Sequence, residues 1–376
     1  MPLFLTVVLT LYGAMHWYAL GKAWRALPQS KSLKLALFLA GFILTLSPFF
    51  VRLLERQDWH SAAVVMAWIS YTWMGFVLLF FCVGIFIDLC RVAVRLFKCR
   101  WLLSEKMAFS LTGLLAFVLL GIGFYEAQNI QVEKITITTP KLAAGQVTIA
   151  QISDLHLGPM IGARYLDRVV AKLAEIKPDI VVATGDIVDG QGDHLNSLAR
   201  HFHGYRPPHG AYAVTGNHEY YVGLEHSLRF LRNAGFTVLR AESARRTGIV
   251  LAGVDDMPRG NVQNPDIRAD VRQALTGVGR EDFVVLLKHK PIIESGAAFD
   301  LQLSGHTHGG QILPFAYPTR LINGVPTGLI PLGDGRQLYV SRGVGTWGPP
   351  IRLFAEPEIT LITIKSSKGN SDSVKP

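Results

Sequence analysis

The first 125 residues are too apolar to form an ordinary water-soluble domain. The stretch "MGFVLLFFCVGIFI" (residues 74–87), for example, lacks the polar face that a helix on a soluble protein needs. Four runs approach or exceed the roughly 20 residues needed to cross a bilayer. They are Pro2–Leu20, Leu35–Val51, Ser61–Ile87 and Met107–Tyr125. We therefore predict a transmembrane region with four helices over residues 1–125.

The charges of the connecting loops predict which side of the membrane each segment occupies, because loops rich in Lys and Arg stay in the cytoplasm. The second loop, "RLLERQDWH", is electrically balanced. The first and third loops are basic and contain Lys22, Arg25, Lys31 and Lys34, and Arg91, Arg95, Lys98, Arg100 and Lys106, respectively. We predict a multi-pass protein of the bacterial inner (cytoplasmic) membrane, with the N-terminus and everything after Tyr125 on the extracytoplasmic side. A cleaved signal peptide is the alternative for the first run, but "MPLFL" lacks the basic start of such peptides.

The net charge of +9 belongs mostly to this first region. Of 37 Lys and Arg and 28 Asp and Glu, residues 1–125 contain 11 and 4, so the remainder is nearly neutral. The basic charge therefore reflects membrane topology, and no nucleic-acid partner is expected. Cys82, Cys90 and Cys99 also lie in the first region, so a metal site in the second must use oxygen and nitrogen ligands.

From Gln131 onward the pattern becomes that of alternating strands and helices. "VTIAQISD", "IVVATGD" and "AYAVTGN" are typical of buried strands, and "ARYLDRVVAKLAEIKPD" and "LEHSLRFLRNAG" of amphipathic helices. Further strands are predicted at "KITITTP", "GIVLAGVDD", "FVVLLKHKP", "LQLSGHTHGG", "QLYVSRGVG" and "EITLITI". We predict an α/β sandwich with two mixed sheets over residues 126–364, followed by a disordered tail at 365–376.

Polar side chains follow five of these strands. They are Asp154 and His156; Asp186; Asn217, His218 and Glu219; His289; and His306 and His308. Because α/β sheets place ligands at the carboxyl ends of their strands, we expect these groups to meet. Carboxylate, amide and imidazole suit a site for two divalent cations such as Mn, Fe or Zn. Asp-x-His and His-x-His place both side chains on one strand face if the backbone is extended.

Five sequence blocks in this order resemble the signature of calcineurin-like metallophosphoesterases. They are "DLH", "GDIVD", "GNHE", "KHKP" and "GHTHGGQ", and the resemblance covers about Val147 to Ile364. "YVSRGVGTWGPPIRL" further resembles the membrane-tethered bacterial branch of that superfamily. The resemblance implies a layered α/β/β/α sandwich.

The same resemblance implies a role for each matched residue. Asp154, His156 and His308 would hold the first metal, and Asn217, His289 and His306 the second. Asp186 would bridge two divalent ions, for which Mn is favoured, and His218 would face the substrate. The metals would activate a bridging water for in-line attack on phosphorus, and His218 would protonate the leaving oxygen or stabilise the transition state. Glu219 or Asp189 would orient His218 or a ligand histidine.

These features favour a membrane-anchored phosphoesterase acting on a lipid-linked or envelope-derived phosphoester or diphosphate. One alternative is a UDP-2,3-diacylglucosamine-type pyrophosphatase of lipid A synthesis on the cytoplasmic side, which the loop charges oppose. Another is a non-catalytic membrane scaffold with a structural metal, which the unligated His218 opposes. The remaining partners are membrane lipids, and oligomeric state is unknown from sequence.

Other polar and aromatic residues have ordinary explanations. The histidines at 194, 201, 203 and 209 are expected in solvated or structural loops rather than at a third metal. Tyr220, Tyr221 and Trp347 fit the substrate cleft and the core equally well. Asp88 is expected to pair with Arg91 one helical turn away.

Overall fold

The computed structural model describes residues 2–97, 103–190, 194–256, 267–294, 296–333 and 335–368. The chain divides into two compact units. Residues 1–125 and 348–351 form the first, and residues 126–347 and 352–376 form the second.

Long helices build the first unit. They are α1 (Pro2–Ala26), α2 (Lys31–Arg56), α3 (His60–Leu96) and α4 (Glu105–Gln128). Three of them, α2, α3 and α4, are long and apolar enough to cross a membrane. The prediction of four spanning helices is therefore wrong in its number, because α1 is a helix but does not qualify as a span among the described residues. Its second half carries His16, Tyr18 and Lys22, which bind polar groups of α3 instead of presenting a uniformly apolar surface.

Asp88 of α3 pairs differently from the expectation. Its carboxylate lies 2.7 Å from both Lys22 Nζ and the Tyr18 hydroxyl, whereas Arg91 is 3.7 Å away. The dominant contacts therefore join α1 to α3, and the local pairing within α3 is the weaker one.

Two mixed six-stranded sheets form the second unit, as predicted. The first has the order β1-β12-β2-β3-β4-β5 and the second β10-β11-β9-β8-β7-β6, numbered along the chain. The strands of the first are Gln131–Thr139 (β1), Gln146–Ile152 (β2), Ile180–Thr184 (β3), Ala211–Val214 (β4), Phe236–Val238 (β5) and Glu358–Ser366 (β12). The strands of the second are Glu242–Arg246 (β6), Ile249–Gly253 (β7), Phe283–Leu287 (β8), Leu301–Ser304 (β9), Gly328–Pro331 (β10) and Gln337–Val340 (β11).

Helices cover the outer faces of both sheets. The helices of the second unit are α5 (Ala163–Ile176), α6 (His194–Ala199), α7 (Asn217–Val222), α8 (Leu224–Asn233), α9 (Ile267–Ala274) and α10 (Ala316–Asn323), with 3-10 turns at Arg200–Gly204 and His308–Gly310. Ile149 and Val182 of the first sheet pack with Leu251 and Val285 of the second, so one apolar core lies between the sheets. Separate clusters join α5 and α8 to the first sheet, and α9 to the second. The layers are therefore helix, sheet, sheet and helix.

The sequence patterns missed the shortest elements, such as β5, β10 and α7, because three to six residues carry too little periodicity. β6 was missed because its residues "ESARR" are mostly exposed at the edge of the second sheet. β12 also runs two residues past the predicted end at 364, where Lys365 pairs with Gln146. Residues 369–376 of the predicted tail lie outside the described residues.

Candidate metal centre

The predicted site residues all lie just beyond the carboxyl ends of five strands. Asp154 and His156 follow β2, and Asp186 follows β3. His289 follows β8, and a tight turn after β9 carries His306 and His308. Asn217 and His218 begin α7 directly after β4. Three of these strands belong to the first sheet and two to the second, so the side chains gather where the two sheets end together.

One group consists of Asp154, His156 and His308, all of them buried. The Nε2 atoms of the two histidines are 3.0 Å apart, and His308 Nε2 is 3.5 Å from Asp154 Oδ1. Two nitrogens bound to one ion at about 2.0–2.1 Å are expected to lie roughly 3.0–3.4 Å from each other. The spacing in this group therefore suits a common cation.

A second group consists of Asp186, His289 and His306. Here His289 Nε2 lies 3.0 Å from Asp186 Oδ2 and 3.2 Å from His306 Nδ1. The same Asp186 oxygen is 4.0 Å from His156 Nε2 in the first group. Asp186 therefore stands between the two groups, where a bridging carboxylate would be needed.

Asn217 supplies an acceptor that lacks a donor. Its Oδ1 atom is buried, and among the described residues no hydrogen-bond donor reaches it. Leaving a buried carbonyl oxygen unsatisfied is costly, and a bound cation would remove that cost. Together with the carboxylates and imidazoles of the two groups, this oxygen gives a donor set that fits divalent metal ions.

The backbone at these residues is left-handed and not extended. Asp154, His156, Asp186, His306 and His308 have φ angles of 53°, 52°, 53°, 72° and 49°. The expectation that Asp-x-His and His-x-His share one face of an extended strand is therefore wrong. The chain instead turns as it leaves β2, β3 and β9, and these turns direct the side chains of the site toward one another. Such conformations cost about 1–3 kcal/mol each in non-glycine residues and are concentrated at functional sites.

Two glycines allow the backbone to approach the carboxylates closely. A Cβ atom on Gly216 would collide with the Asp186 carboxylate, and one on Gly305 would collide with Ser153 and Asp154. Both positions therefore require glycine because of space rather than of backbone freedom.

His218 is held by Asp189. Its Nδ1 lies 2.7 Å from Asp189 Oδ1, and its ring packs edge-on against His156 at 4.6 Å between centroids. By distance alone, a cation could also bind between His156, Asp189 and His218. The 2.7 Å contact shows instead that Asp189 and His218 are hydrogen-bonded to each other. Because Nδ1 is bound by Asp189, Nε2 is the ring nitrogen that can exchange a proton with a substrate.

Glu219 has a different task from orienting His218. Its buried carboxylate accepts hydrogen bonds from the backbone N–H groups of Asp186, Ile187, Val188 and Gly216, at 2.7–3.0 Å. Of the two candidates for orienting His218, the geometry thus favours Asp189. Glu219 instead fixes the turn that carries Asp186.

Buried carboxylates control the protonation of the histidines. Burial by itself would lower the pKa of His289, but Asp186 and Asp154 outweigh it and raise the pKa to about 10. Burial likewise opposes the charge on His218, yet Asp189 and Asp186 raise its pKa to about 9. Burial and the charge on His289 together lower the pKa of His306 to about 3. The carboxylates of this site therefore favour positive charge beside them, which is what a site for divalent cations needs.

Arg352 is a residue that sequence reasoning missed. Its side chain is fully buried and donates to the backbone carbonyls of Gly345, Ala355, Arg342 and His308 at distances of 2.6–3.3 Å. Its Nη2 also lies 3.4 Å from His308 Nδ1. Arg352 lies in the quoted block "YVSRGVGTWGPPIRL", but an arginine carries no ligand chemistry that would single it out. It braces the turn that carries His308.

The other histidines make separate contacts. His201 Nδ1 lies 2.6 Å from Asp167, and His203 Nε2 lies 3.0 Å from the Asn233 carbonyl. Neither belongs to a metal-binding group among the described residues. By contrast, the half-exposed rings of Tyr221 and Trp347 lie 5.2 and 5.7 Å from the His218 ring, which places them at the cleft.

A sequence family and several known proteins are similar to this chain. The sequence model of calcineurin-like phosphoesterases matches residues 147–310. An uncharacterized metallophosphoesterase of Aquifex aeolicus is 45% identical over 250 residues, which is 65% of this chain and 95% of that protein. One from Bacillus subtilis is 35% identical and matches 58% of this chain and 79% of its own length. A Danio rerio protein named transmembrane protein with metallophosphoesterase domain is 34% identical over 64% of this chain, but only 59% of its own length is matched.

Proposed function

This chain belongs to the calcineurin-like metallophosphoesterases, and on that premise we propose that it is a membrane-anchored, two-metal phosphoesterase. The observation that carries the proposal is the pair of side-chain groups joined by Asp186, with an unsatisfied Asn217 oxygen beside them. A structural metal site would need neither a second group nor a histidine such as His218 paired with a carboxylate.

Each metal position has its own protein ligands. Asp154, His156 and His308 would hold one ion, and Asn217, His289 and His306 the other. Asp186 would be shared between them. Bound divalent cations, of which we favour Mn, would supply Lewis acidity toward the phosphoryl oxygens and a water of lowered pKa.

The protein's own residues manage the leaving group. Asp189 holds His218 through Nδ1, so Nε2 donates a proton to the ester oxygen as the bond to phosphorus breaks. The Asp189 carboxylate, 2.7 Å from Nδ1, favours the protonated form of His218 that this role requires. Tyr221 and Trp347 flank the ring and would contact the substrate's organic group.

The membrane helices suggest where the substrate is found. The three apolar helices and the transmembrane name of the Danio rerio relative indicate a membrane protein. An enzyme anchored in this way meets phosphoesters of the envelope or of lipids most often, so we propose a lipid-linked or envelope-derived substrate. The nearly neutral charge of residues 126–376 supports a substrate other than nucleic acid.

We further propose that the protein is a multi-pass component of a bacterial inner membrane, with its second unit on the extracytoplasmic side. The basic residues before α2 and between α3 and α4 support this orientation, because such loops remain in the cytoplasm. Three spans that begin in the cytoplasm at Lys31 place the end of α4 outside. Activity of a phosphatase reporter fused after Lys368 supports this orientation, whereas fluorescence of a reporter that folds only in the cytosol contradicts it.

The function is tested with detergent-purified protein, Mn²⁺, and two chromogenic esters, bis-p-nitrophenyl phosphate and p-nitrophenyl phosphate. Chelation of the metal should abolish hydrolysis, and added Mn²⁺ should restore it. Asp186→Ala should lose bound metal and at least about 10³-fold in rate, since metals supply several kcal/mol to the transition state. His218→Ala should lose about 10²–10⁴-fold while retaining two metals.

The two variants separate metal binding from proton transfer. Loss of metal in His218→Ala would assign His218 as a ligand and contradict its proposed role. Wild-type protein that binds two metals yet cleaves neither ester nor lipid phosphate would contradict the enzyme function itself.

A further inference from the structure

Large apolar side chains that are exposed to water are concentrated in one part of the second unit. Tyr317, Leu321 and Ile322 of α10 are 73%, 84% and 81% exposed, and Phe354 is 77% exposed. No residue of α10 is buried. We define the apolar patch as Leu313, Phe315, Tyr317, Leu321, Ile322 and Phe354, all of which are exposed.

The apolar patch is built on the metal-binding turn. α10 follows the His308–Gly310 turn so tightly that a Cβ on Gly310 would collide with Ala316. Leu313 donates its N–H to the Leu353 carbonyl at 3.2 Å, which brings Phe354 beside the same segment. These contacts attach α10 to the metal-binding turn and place Leu313 beside the segment that carries Phe354.

The patch is connected to the cleft through Gln311. The Gln311 side chain donates to the Trp347 carbonyl at 3.1 Å and accepts from the Trp347 N–H at 2.9 Å. The Trp347 ring then contacts His218. A molecule resting on the apolar patch is therefore next to the residues that would act on phosphate.

The charge of the segment distinguishes a lipid surface from other occupants. Residues 309–333 contain neither Asp nor Glu, and their single charged residue, Arg320, is exposed. Two carboxylates lie beside Phe354, at the other part of the patch: Glu126, which accepts from the Phe354 N–H at 2.9 Å, and the exposed Glu356. Segments that lie in a membrane interface typically contain Tyr, Phe, Leu and Ile together with arginine, and they lack acidic residues that anionic headgroups would repel.

The chain also brings a bilayer within reach. α4, a candidate span, ends at Gln128, and β1 of the second unit begins at Gln131. Three backbone steps extend at most about 10 Å. The second unit therefore begins close to the end of a candidate membrane span.

We propose that the apolar patch inserts into the interface of the bilayer that anchors the chain, as a separate contact in addition to the spanning helices. Insertion does not depend on catalysis. The catalytic consequence of insertion does rest on the proposed function. Insertion would hold the metal cluster at the depth of the headgroups, where phosphate groups of lipids reach His218 without leaving the membrane.

Depth-dependent fluorescence quenching tests the proposal on the full chain. Cys82, Cys90 and Cys99 are replaced by serine, and a single cysteine at Ile322→Cys carries an environment-sensitive dye. The protein is reconstituted in nanodiscs whose lipids have brominated acyl chains. We expect emission at position 322 to shift to the blue and to be quenched several-fold more than in unbrominated lipid.

Two labelled controls bracket the result. Glu175→Cys replaces an exposed side chain of α5 outside the patch and should show no quenching. Phe117→Cys lies in the candidate span α4, is 68% exposed, and should be quenched strongly if reconstitution succeeded. Leu321→Asp combined with a dye at Tyr317→Cys should reduce the quenching toward that of Glu175→Cys. This substitution should leave hydrolysis of p-nitrophenyl phosphate unchanged, because Leu321 lies outside the metal cluster.

Two outcomes would overturn the proposal. The patch stays in water if the dye at position 322 is quenched no more than the dye at position 175 while the dye at position 117 is quenched strongly. The patch would be assigned to self-association if position 322 is protected from water without being quenched and disulfide cross-links form between copies. Since the readout is quenching and not hydrolysis, an inactive but inserted protein would contradict the proposed function alone.

Discussion

Two sets of polar groups, one in each unit, find their partners in different ways. In the helical unit, buried polar side chains bind partners on other helices: Lys22 binds the half-buried Asp88 at 2.7 Å, and Ser47 binds Ser70 at 2.7 Å. In the second unit, buried carboxylates and imidazoles gather at one point, and Asn217 Oδ1 has no donor among the described residues.

The difference shows what each set of polar groups is for. Groups that satisfy each other hold helices together where neighbouring lipid cannot form hydrogen bonds. Groups that converge without satisfying each other raise the energy of the folded protein unless a ligand completes them. Removing a polar group should therefore cost the first unit stability alone, but should cost the second unit metal binding and rate as well.

Among the variants that compare the two units, Arg352→Gln should have the largest effect, because Arg352 braces the second unit. Arg352→Gln leaves several buried carbonyls without a donor and should lower the free energy of unfolding by about 3 kcal/mol. Loss of the contact to His308 should weaken one Mn²⁺ site by about 10–100-fold. Thermal unfolding and Mn²⁺ titration measure the two effects.

Arg352→Lys is the matched control, because it keeps the charge but loses the planar fork of donors. We expect it to recover part of the stability and little of the metal affinity. If Arg352→Gln melts earlier but binds both metals as tightly as wild type, Arg352 only stabilises the fold.

A smaller effect is expected at Asp189, which positions His218. Asp189→Asn should lower kcat by about 10–100-fold with both metals retained. If His218 protonates the leaving oxygen, the loss should be greater for esters of poorly acidic alcohols than for p-nitrophenyl esters. Rates across aryl phosphates of increasing leaving-group pKa measure this slope. An equal loss for every ester would mean that Asp189 acts on metal geometry and not on proton transfer.

The smallest effect is expected in the helical unit at Lys22. Lys22→Met leaves Asp88 without its closest cation and should lower stability by about 1–2 kcal/mol. This is less than for a fully buried pair, because the Asp88 side chain is 32% exposed. Melting in detergent measures the loss, and Lys22→Met with Asp88→Asn should recover part of it. If Lys22→Met also lowers the affinity for Mn²⁺, polar groups of the helical unit affect metal binding as well as stability, and the proposed difference between the units is contradicted.

The repeating elements of the fold were predictable because their physical cause is local. The 3.6-residue period of "ARYLDRVVAKLAEIKPD" predicts α5, and the apolar run "IVVATGD" predicts β3, since each pattern reflects one buried face. The number of spanning helices was not predictable in the same way. α1 has the length of a span, but its polar residues at 16, 18 and 22 only make sense beside α3.

The candidate site was predictable in its residue types and their order, and not in its geometry. Asp154 and His156 stand out after a strand, but their left-handed backbone is a property of the turn they enter. Asp189 and Glu219 were equivalent candidates in the sequence, and the folded chain separated them: one binds the His218 ring and the other binds backbone N–H groups.

By itself, the sequence determined that this protein has an apolar region of membrane-helix composition and an α/β region with carboxylates, an amide and imidazoles after its strands. Composition and periodicity are properties of neighbouring residues, so no fold is needed to read them. The tertiary structure decided which side chains meet, that Asp186 stands between two groups, and that Arg352 braces His308 across 44 residues. It also left the side chains of α10 exposed. Distance and exposure are set by packing between elements far apart in the chain, and no local pattern contains them.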